Sequence, residues 1–391
     1  MRLAFFVDQV FWRDGSVLST DESYILFPAS FAGHVDQIIF IGREAPVPGR
    51  APYVLDGSTI SLCAMPFYPD LYNLWRAHPR LYRRIRAAVR REAANWDAIV
   101  ISGPHPIGQL IARECIALGI PVLPMVRQNF IEQMGTHRGL KRQAAMLAAR
   151  VLEWDFKRIA RDRTVFTVGK EMTEVYGQSS SRVHSHFPCL VDRAQFEMYS
   201  KISAGADPKR LINVGRLSPE KGLRFLFEAL AQLNQRGLSC HLDLVGTGPM
   251  EQELRALASE LGLASQVTFH GYVHYGRPLF ELYEKAGVMV LSSTTEGLPQ
   301  VINEALSVGL PMVATTVGGI PSFLTDGKTA LMVPPRDVPS LAGAIERLVG
   351  SPALREHLRR NGRALMQDNI LEVNRARVLG GVHDEIARRR A

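Results

Sequence analysis

Short aliphatic runs alternate with amphipathic segments of helix length along almost this whole chain, the pattern of a parallel sheet covered by helices on both faces. The runs at Leu3 to Val7, Gln37 to Ile41, Ala98 to Ser102, Val122 to Met125 and Thr164 to Val168 form one series. A second begins at Leu211-Ile-Asn-Val-Gly215 and continues through His241 to Val245, Val267 to Phe269, Val288 to Ser292 and Met312 to Thr315. Between the two, residues 192–209 hold few large aliphatic side chains and include Ser203-Ala-Gly-Ala-Asp-Pro208, which reads as a linker. At 391 residues the chain exceeds what one hydrophobic core supports. The expectation is an α/β protein with two Rossmann-like, doubly wound parallel-sheet domains. The first is residues 1–195, the linker 196–208 and the second domain 209–365, with 366–391 a helical segment crossing back to the first. Each open sheet offers a crevice at the carboxyl ends of its strands, and two such domains facing each other make one central cleft.

The totals exclude several classes. No run of apolar residues reaches membrane-spanning length, and Leu3-Ala-Phe-Phe-Val7 meets Asp8 too early for a signal-peptide core, so a cytoplasmic protein is expected. Cys63, Cys115, Cys189 and Cys240 lie far apart and read as reduced, buried thiols. The pairs His184/His186 and His270/His274 have no neighbouring Cys, and no metal site is expected.

The formal charge of +8 resides mainly in residues 1–195, which carry 24 Lys/Arg against 18 Asp/Glu. Seven arginines and no acid fall between Arg76 and Arg91, with Leu81, Tyr82, Ile85 and Val89 at helical spacing among them. That describes a basic amphipathic helix. It either lies on an anionic membrane surface, with the inner face of the membrane the expected one, or packs its apolar stripe on its own domain with the arginines solvated. Nucleic acid is not an expected partner, because no DNA- or RNA-reading motif accompanies the charge.

Two constellations carry the chemistry. Gly215-Arg216-Leu-Ser-Pro-Glu-Lys221-Gly222 follows a strand, and Ser218-Pro219 supplies a cap and first-turn proline for a helix containing Leu223, Leu226, Phe227 and Leu230. Arg216 and Lys221 thus sit at a strand-to-helix turn, where a cation pair beside the positive end of a helix dipole suits a diphosphate. In the second, Val288 to Ser292 is a buried strand, a turn follows and Pro299 opens a helix, so that Glu296 precedes the helix and Glu304 lies some two turns inside. Eight helical positions span ~12 Å, beyond the ~5 to 9.5 Å of a glycoside-hydrolase carboxylate pair. Two contacts along one extended ligand fit better.

Read onward from Thr295 to Pro321, the chain resembles the signature of the retaining glycosyltransferases of family 4, which have the GT-B fold. The match extends through Gly215 to Gly222, Val245-Gly-Thr-Gly-Pro249, Val267-Thr-Phe-His-Gly271 and Asp326-Gly327, and is close over residues 210–350. The resemblance implies a nucleotide-diphosphate sugar as donor, with Arg216 and Lys221 on its diphosphate and Glu304 on its ribose. Glu296, with the backbone of Gly297, Leu298, Pro299 and Gln300, would hold the transferred sugar, and Gly271, Tyr272 and Val273 would lie against the base. It implies transfer with retention, with no cofactor and no essential metal; the basic segment from Arg76 to Arg91 motivates a glycan or lipid-linked acceptor. Where the family follows Gly-Gly-x-Pro with Glu, this chain has Ser322.

On the acceptor side, the family's glycine-rich loop is reduced to Arg13-Asp-Gly15-Ser16, and its histidine after the fourth strand is replaced by Val126-Arg127-Gln128-Asn129. His105, at a strand's carboxyl end, is a candidate polar group facing the acceptor or a structural loop histidine. Two rival readings remain: an epimerase or hydrolase acting on nucleotide sugars, and a non-catalytic subunit that binds them.

Overall fold

Strands buried on both faces need no polar alternation, and Phe5, Phe6, Ile38, Phe40, Ile99 and Ile101 all serve the interior of one sheet. The computed structural model describes residues 1–55, 57–68, 79–127, 131, 140–199 and 206–390. It divides into two units: the first contains Met1–Pro188 and Arg375–Ala391, the second Cys189–Asn374.

In the first unit the strands are β1 (Arg2–Asp14), β2 (Val17–Thr20), β3 (Gln37–Glu44), β4 (Tyr53–Leu55), β5 (Ile60–Met65), β6 (Ala98–Gly103), β7 (Val122–Val126), β8 (Val165–Thr167) and β9 (Val183–Ser185). β5, β3, β1, β6, β7, β8 and β9 lie side by side and run parallel. β1 is longer than the aliphatic run at its start. Its register shifts between Phe6 and Val10, and it then continues into an antiparallel pairing with β2, which pairs in turn with β4. Asp14 pairs with Val17, so Gly15 and Ser16 form a two-residue hairpin turn rather than a strand-to-helix loop. Gly15 takes the positive φ of 58° that such turns require.

Helix Pro79–Ala93 resolves the two readings of the basic segment within its described part. Ile85 and Val89 are fully buried in the core of this unit, and Leu81 and Tyr82 pack against it. Withdrawing Ile85 and Val89 would leave cavities in that core, at a cost in lost packing that an equally apolar bilayer would not return. The apolar stripe therefore belongs to the domain. Arg86 and Arg90 pair with Glu114 of helix Pro106–Ala117 at 2.9 and 2.6 Å; residues 76–78 lie outside the described residues. Among the described residues no helix is long and apolar enough to cross a membrane.

In the long helix Leu140–Ala160, sequence spacing predicts Met146, Leu147, Leu152 and Phe156 on one apolar side. Phe156 is buried, but Leu147 points to solvent instead of sharing that side. The C-terminal helix Leu371–Arg390 is anchored in the first unit by Glu385, whose buried carboxylate accepts from the Thr164 N–H at 3.0 Å and hydroxyl at 2.9 Å.

The second unit has β10 (Arg210–Val214), β11 (His241–Val245), β12 (Val267–Gly271), β13 (Val288–Leu291), β14 (Met312–Thr315) and β15 (Leu331–Val333). All are parallel, in the order β12-β11-β10-β13-β14-β15. Part of the stretch expected as linker is helical here: Arg193–Tyr199 starts where Asp192 Oδ1 accepts from the Gln195 N–H at 2.7 Å. Buried Tyr199 stacks on Phe280 with ring centroids 4.4 Å apart, which fixes the helix to this unit. Residues 200–205 lie outside the described residues.

Candidate functional site

From β10 the second sheet grows outward in both directions, through β11 on one side and β13 on the other, which makes the carboxyl ends of β10 and β13 its topological switch point. Ligands of open α/β sheets bind in the crevice at such a point. Inside it, the buried amide of Asn213 donates to the Val290 carbonyl at 2.7 Å and ties the two strands together.

The loops leaving these strands are locked to each other. Thr294 N–H donates to Glu220 O at 2.7 Å, the Ser292 hydroxyl to Lys221 O at 3.0 Å, and the Thr315 hydroxyl at the end of β14 to Ser293 O at 2.7 Å. Glycine permits the contact at two positions. A Cβ on Gly222 would lie 2.1 Å from Ser292 O, and one on Gly318 would lie 1.8 Å from Glu296 O. Gly222 also ends a short 3-10 turn, Pro219–Lys221, so the helix begins at Leu223 and Ser218 makes no side-chain cap.

This framework brings Lys221 and Glu296 into contact. Lys221 Nζ donates to Glu296 Oε1 at 2.5 Å, and the Ser293 hydroxyl donates to the same oxygen at 2.7 Å. Both charged side chains are largely shielded, with 21% and 10% of their surface exposed. Arg216, five residues before Lys221 in the same loop, is exposed. Gly297, Leu298 and Pro299 follow Glu296, and helix Gln300–Val308 begins without a side-chain cap. Its first N–H groups therefore carry the positive end of the helix dipole at the same crevice.

Glu304 is held differently from its expected partner Glu296. It sits one turn into the helix, buried, and its Oε2 accepts from the buried Tyr283 hydroxyl at 2.7 Å. Burial pushes its pKa up to about 7 against the lowering effect of the Tyr283 hydrogen bond. A carboxyl raised on folding is penalised once ionised: the penalty is absent below about pH 4.5 and grows as pH rises through about 7. Glu304→Gln removes the titration, so its stability should gain on the wild type by up to about 3 kcal/mol between about pH 5 and about pH 8. Thermal unfolding of both proteins across that range measures this, and a constant difference would refute it.

Gly271 closes β12 with φ 68°, and its carbonyl accepts from Gly246 N–H at 2.7 Å. Tyr272 beyond it is half exposed and packs edge-on against His274; Val273 lies between them in the same loop. Ser322 donates its hydroxyl to Gly319 O at 2.6 Å, a local turn contact.

In the first unit, His105 caps helix Pro106–Ala117. Its Nδ1 accepts from Gly108 N–H at 3.3 Å, which leaves its proton on Nε2, 3.1 Å from Asp8 Oδ2. Asp8 also accepts from the Tyr68 hydroxyl at 2.5 Å and faces Arg43 Nε at 3.2 Å. Burial raises the Asp8 pKa, but His105, Tyr68 and Arg43 together bring it below the usual carboxylate value. The sequence reading missed Asp8, Tyr68 and Arg43. Asp8 was findable as the first acid after the aliphatic part of β1, whereas its partners come from distant strands. Arg127 lies 3.6 Å over the Tyr24 ring. Gly15 and Ser16 stand exposed at the hairpin tip, and Asn129 lies outside the described residues. Among the described residues no group of three or more His, Cys, Asp or Glu is gathered as a metal site would require.

Residues 195–365 match the family model for glycosyl transferases group 1. Alpha-D-kanosaminyltransferase of Streptomyces kanamyceticus is 33% identical over 183 residues, covering 46% of this chain and 47% of that protein. Lipopolysaccharide core biosynthesis glycosyltransferase LpsE of Rhizobium meliloti is 35% identical over 200 residues, covering 50% and 55%. These alignments span about half the length of the relatives. Sucrose-phosphate synthase from Thermosynechococcus elongatus superposes with a TM-score of 0.69 at 20% identity, covering 99% of both chains. HepE of Anabaena, solved with UDP and glucose, gives 0.69 at 17% over 97% and 98%. The fold is thus the GT-B type, and residues 195–365, with the Lys221–Glu296 pair at their switch point, belong to the glycosyl transferases group 1.

Proposed function

We propose that this chain is a retaining glycosyltransferase that moves a sugar from a nucleotide-diphosphate donor to a glycan or lipid-linked acceptor without a metal ion. The observation that carries the reading is the Lys221–Glu296 contact at the β10/β13 switch point, with Arg216 exposed in the same loop. Group-transfer chemistry from a nucleotide sugar places negative charge on the departing diphosphate, and fixed cations stabilise it without reorganising. Lys221 and Arg216 supply those cations, and the uncapped start of helix Gln300–Val308 adds its dipole.

Glu296, one hydrogen bond from Lys221, is placed to accept from hydroxyls of the sugar attached to that phosphate. Glu304 would accept from ribose hydroxyls, and their donation would draw it to the ionised form. HepE, whose structure holds UDP and glucose, and LpsE, named for lipopolysaccharide core biosynthesis, support this donor and acceptor class.

Thermal shift with UDP, GDP and ADP tests the donor site. One of the three at about a hundred times its Kd should stabilise the protein by ~2.7 kcal/mol, or about 5–10 °C in Tm. Chelation by EDTA should leave the shift in place, and Lys221→Ala should remove it. Absence of any shift, or a shift only with added divalent metal, would overturn the proposal.

A further inference from the structure

Three helices of the first unit, Pro79–Ala93, Pro106–Ala117 and Leu140–Ala160, connect β5 to β6, β6 to β7 and β7 to β8. These crossovers all step in the same direction along the sheet, and right-handed connections therefore lay the helices on one face. Ion pairs from Arg86 and Arg90 to Glu114, and from Arg113 to Asp155, join each helix to the next.

The outer face of Leu140–Ala160 is unusual. Leu147, Val151 and Trp154 are 64%, 57% and 59% exposed, and their spacing of four and three residues aligns them in one stripe. Arg150, Arg158 and Arg161 are exposed within the same arc, with Arg158 lying 4.9 Å over the Trp154 ring. The two acids of this helix are turned to other uses: Glu153 is buried, and Asp155 is paired with Arg113.

Single exposed apolar residues need no explanation, but a contiguous stripe marks a contact surface. A tryptophan-centred apolar stripe flanked by Arg150, Arg158 and Arg161, with Asp162 the one exposed acid beside them, matches the interface of a bilayer with anionic headgroups. A second copy of this chain would bring like charges together across a two-fold axis, which disfavours it. We propose that this face docks the protein on an anionic membrane surface. Leu147, Val151 and Trp154 enter the headgroup boundary, and Arg150, Arg158 and Arg161 engage the headgroups. The inference does not rest on the transferase reading.

Flotation of the full chain with phosphatidylcholine vesicles, with and without phosphatidylglycerol, tests it. Binding is expected only with phosphatidylglycerol and should weaken as salt rises. Val151→Ser with Trp154→Ser, and separately Arg150→Gln with Arg158→Gln, should each lower partitioning roughly tenfold or more. Thermal unfolding should stay unchanged, since these side chains face solvent. Failure of the wild type to bind, or binding indifferent to both double variants, overturns the proposal. So does a dimer, seen by light scattering, that Trp154→Ser dissolves while vesicles are ignored.

Discussion

If the proposed function holds, Glu296→Gln should lower sugar transfer roughly 10²–10³-fold while nucleoside diphosphate affinity stays within about threefold of the wild type. The asymmetry follows from the shared oxygen. Glu296 Oε1 takes both the Lys221 ammonium and the Ser293 hydroxyl, so the amide of the variant keeps a similar shape but loses the charge that holds Lys221. The freed ammonium remains available to a diphosphate, which binds as well as before or more tightly. What disappears is the carboxylate that, on the proposed function, would face the transferred sugar. Lys221→Ala should behave differently, losing nucleotide binding together with transfer, because it removes the cation itself. Isothermal titration with the nucleotide that stabilises the protein, and single-turnover consumption of the matching nucleotide sugar, separate these outcomes. A Glu296→Gln enzyme within about threefold of wild-type turnover would remove Glu296 from the chemistry.

Ten of the fifteen described strands were readable because buried parallel strands are written as apolar runs, as in Ile38 to Ile41 and Val288 to Leu291, whereas β2, β4, β5, β9 and β15 were not. The pairing of Lys221 with Glu296 was readable only as two loops of suitable chemistry. Their contact depends on the strand order, which no local pattern encodes. Glu304 shows the complementary failure: the sequence put it some two turns inside its helix, whereas it lies one turn in, and its burial against Tyr283 comes from a helix about twenty residues away in sequence. Amphipathic helices left the partner of their apolar face undecided for one reason. Periodicity says that a face is apolar and not what covers it, so the stripe of Pro79–Ala93 went to the core while Leu147 went to solvent. The hairpin of β2 on the far end of β1 was likewise hidden, because the turn at Gly15 and Ser16 looks the same in sequence whether a helix or a strand follows it.

Gly318→Ala should lower transfer by roughly 10²-fold and destabilise the second unit by about 2–4 kcal/mol. Gly318 has φ +50°, and a Cβ built there meets Glu296 O at 1.8 Å and Glu296 C at 2.8 Å. Both atoms are backbone, so no side-chain rotation relieves the contact. The loop carrying Glu296 must instead retreat by roughly 1 Å or more to restore van der Waals separation, and a displacement of that size is what catalytic geometry tolerates least. Gly262→Ala separates this effect from backbone strain alone. Gly262 also has a positive φ, +69°, yet nothing lies within 4 Å of its Cβ position. Its substitution should cost only the left-handed penalty of about 1–2 kcal/mol and leave transfer near the wild-type rate. Thermal unfolding and turnover of the two variants side by side decide the matter. If Gly318→Ala loses no more than Gly262→Ala in both measurements, the Glu296 loop is not braced by Gly318, and the rigidity assigned to the switch-point site has another source.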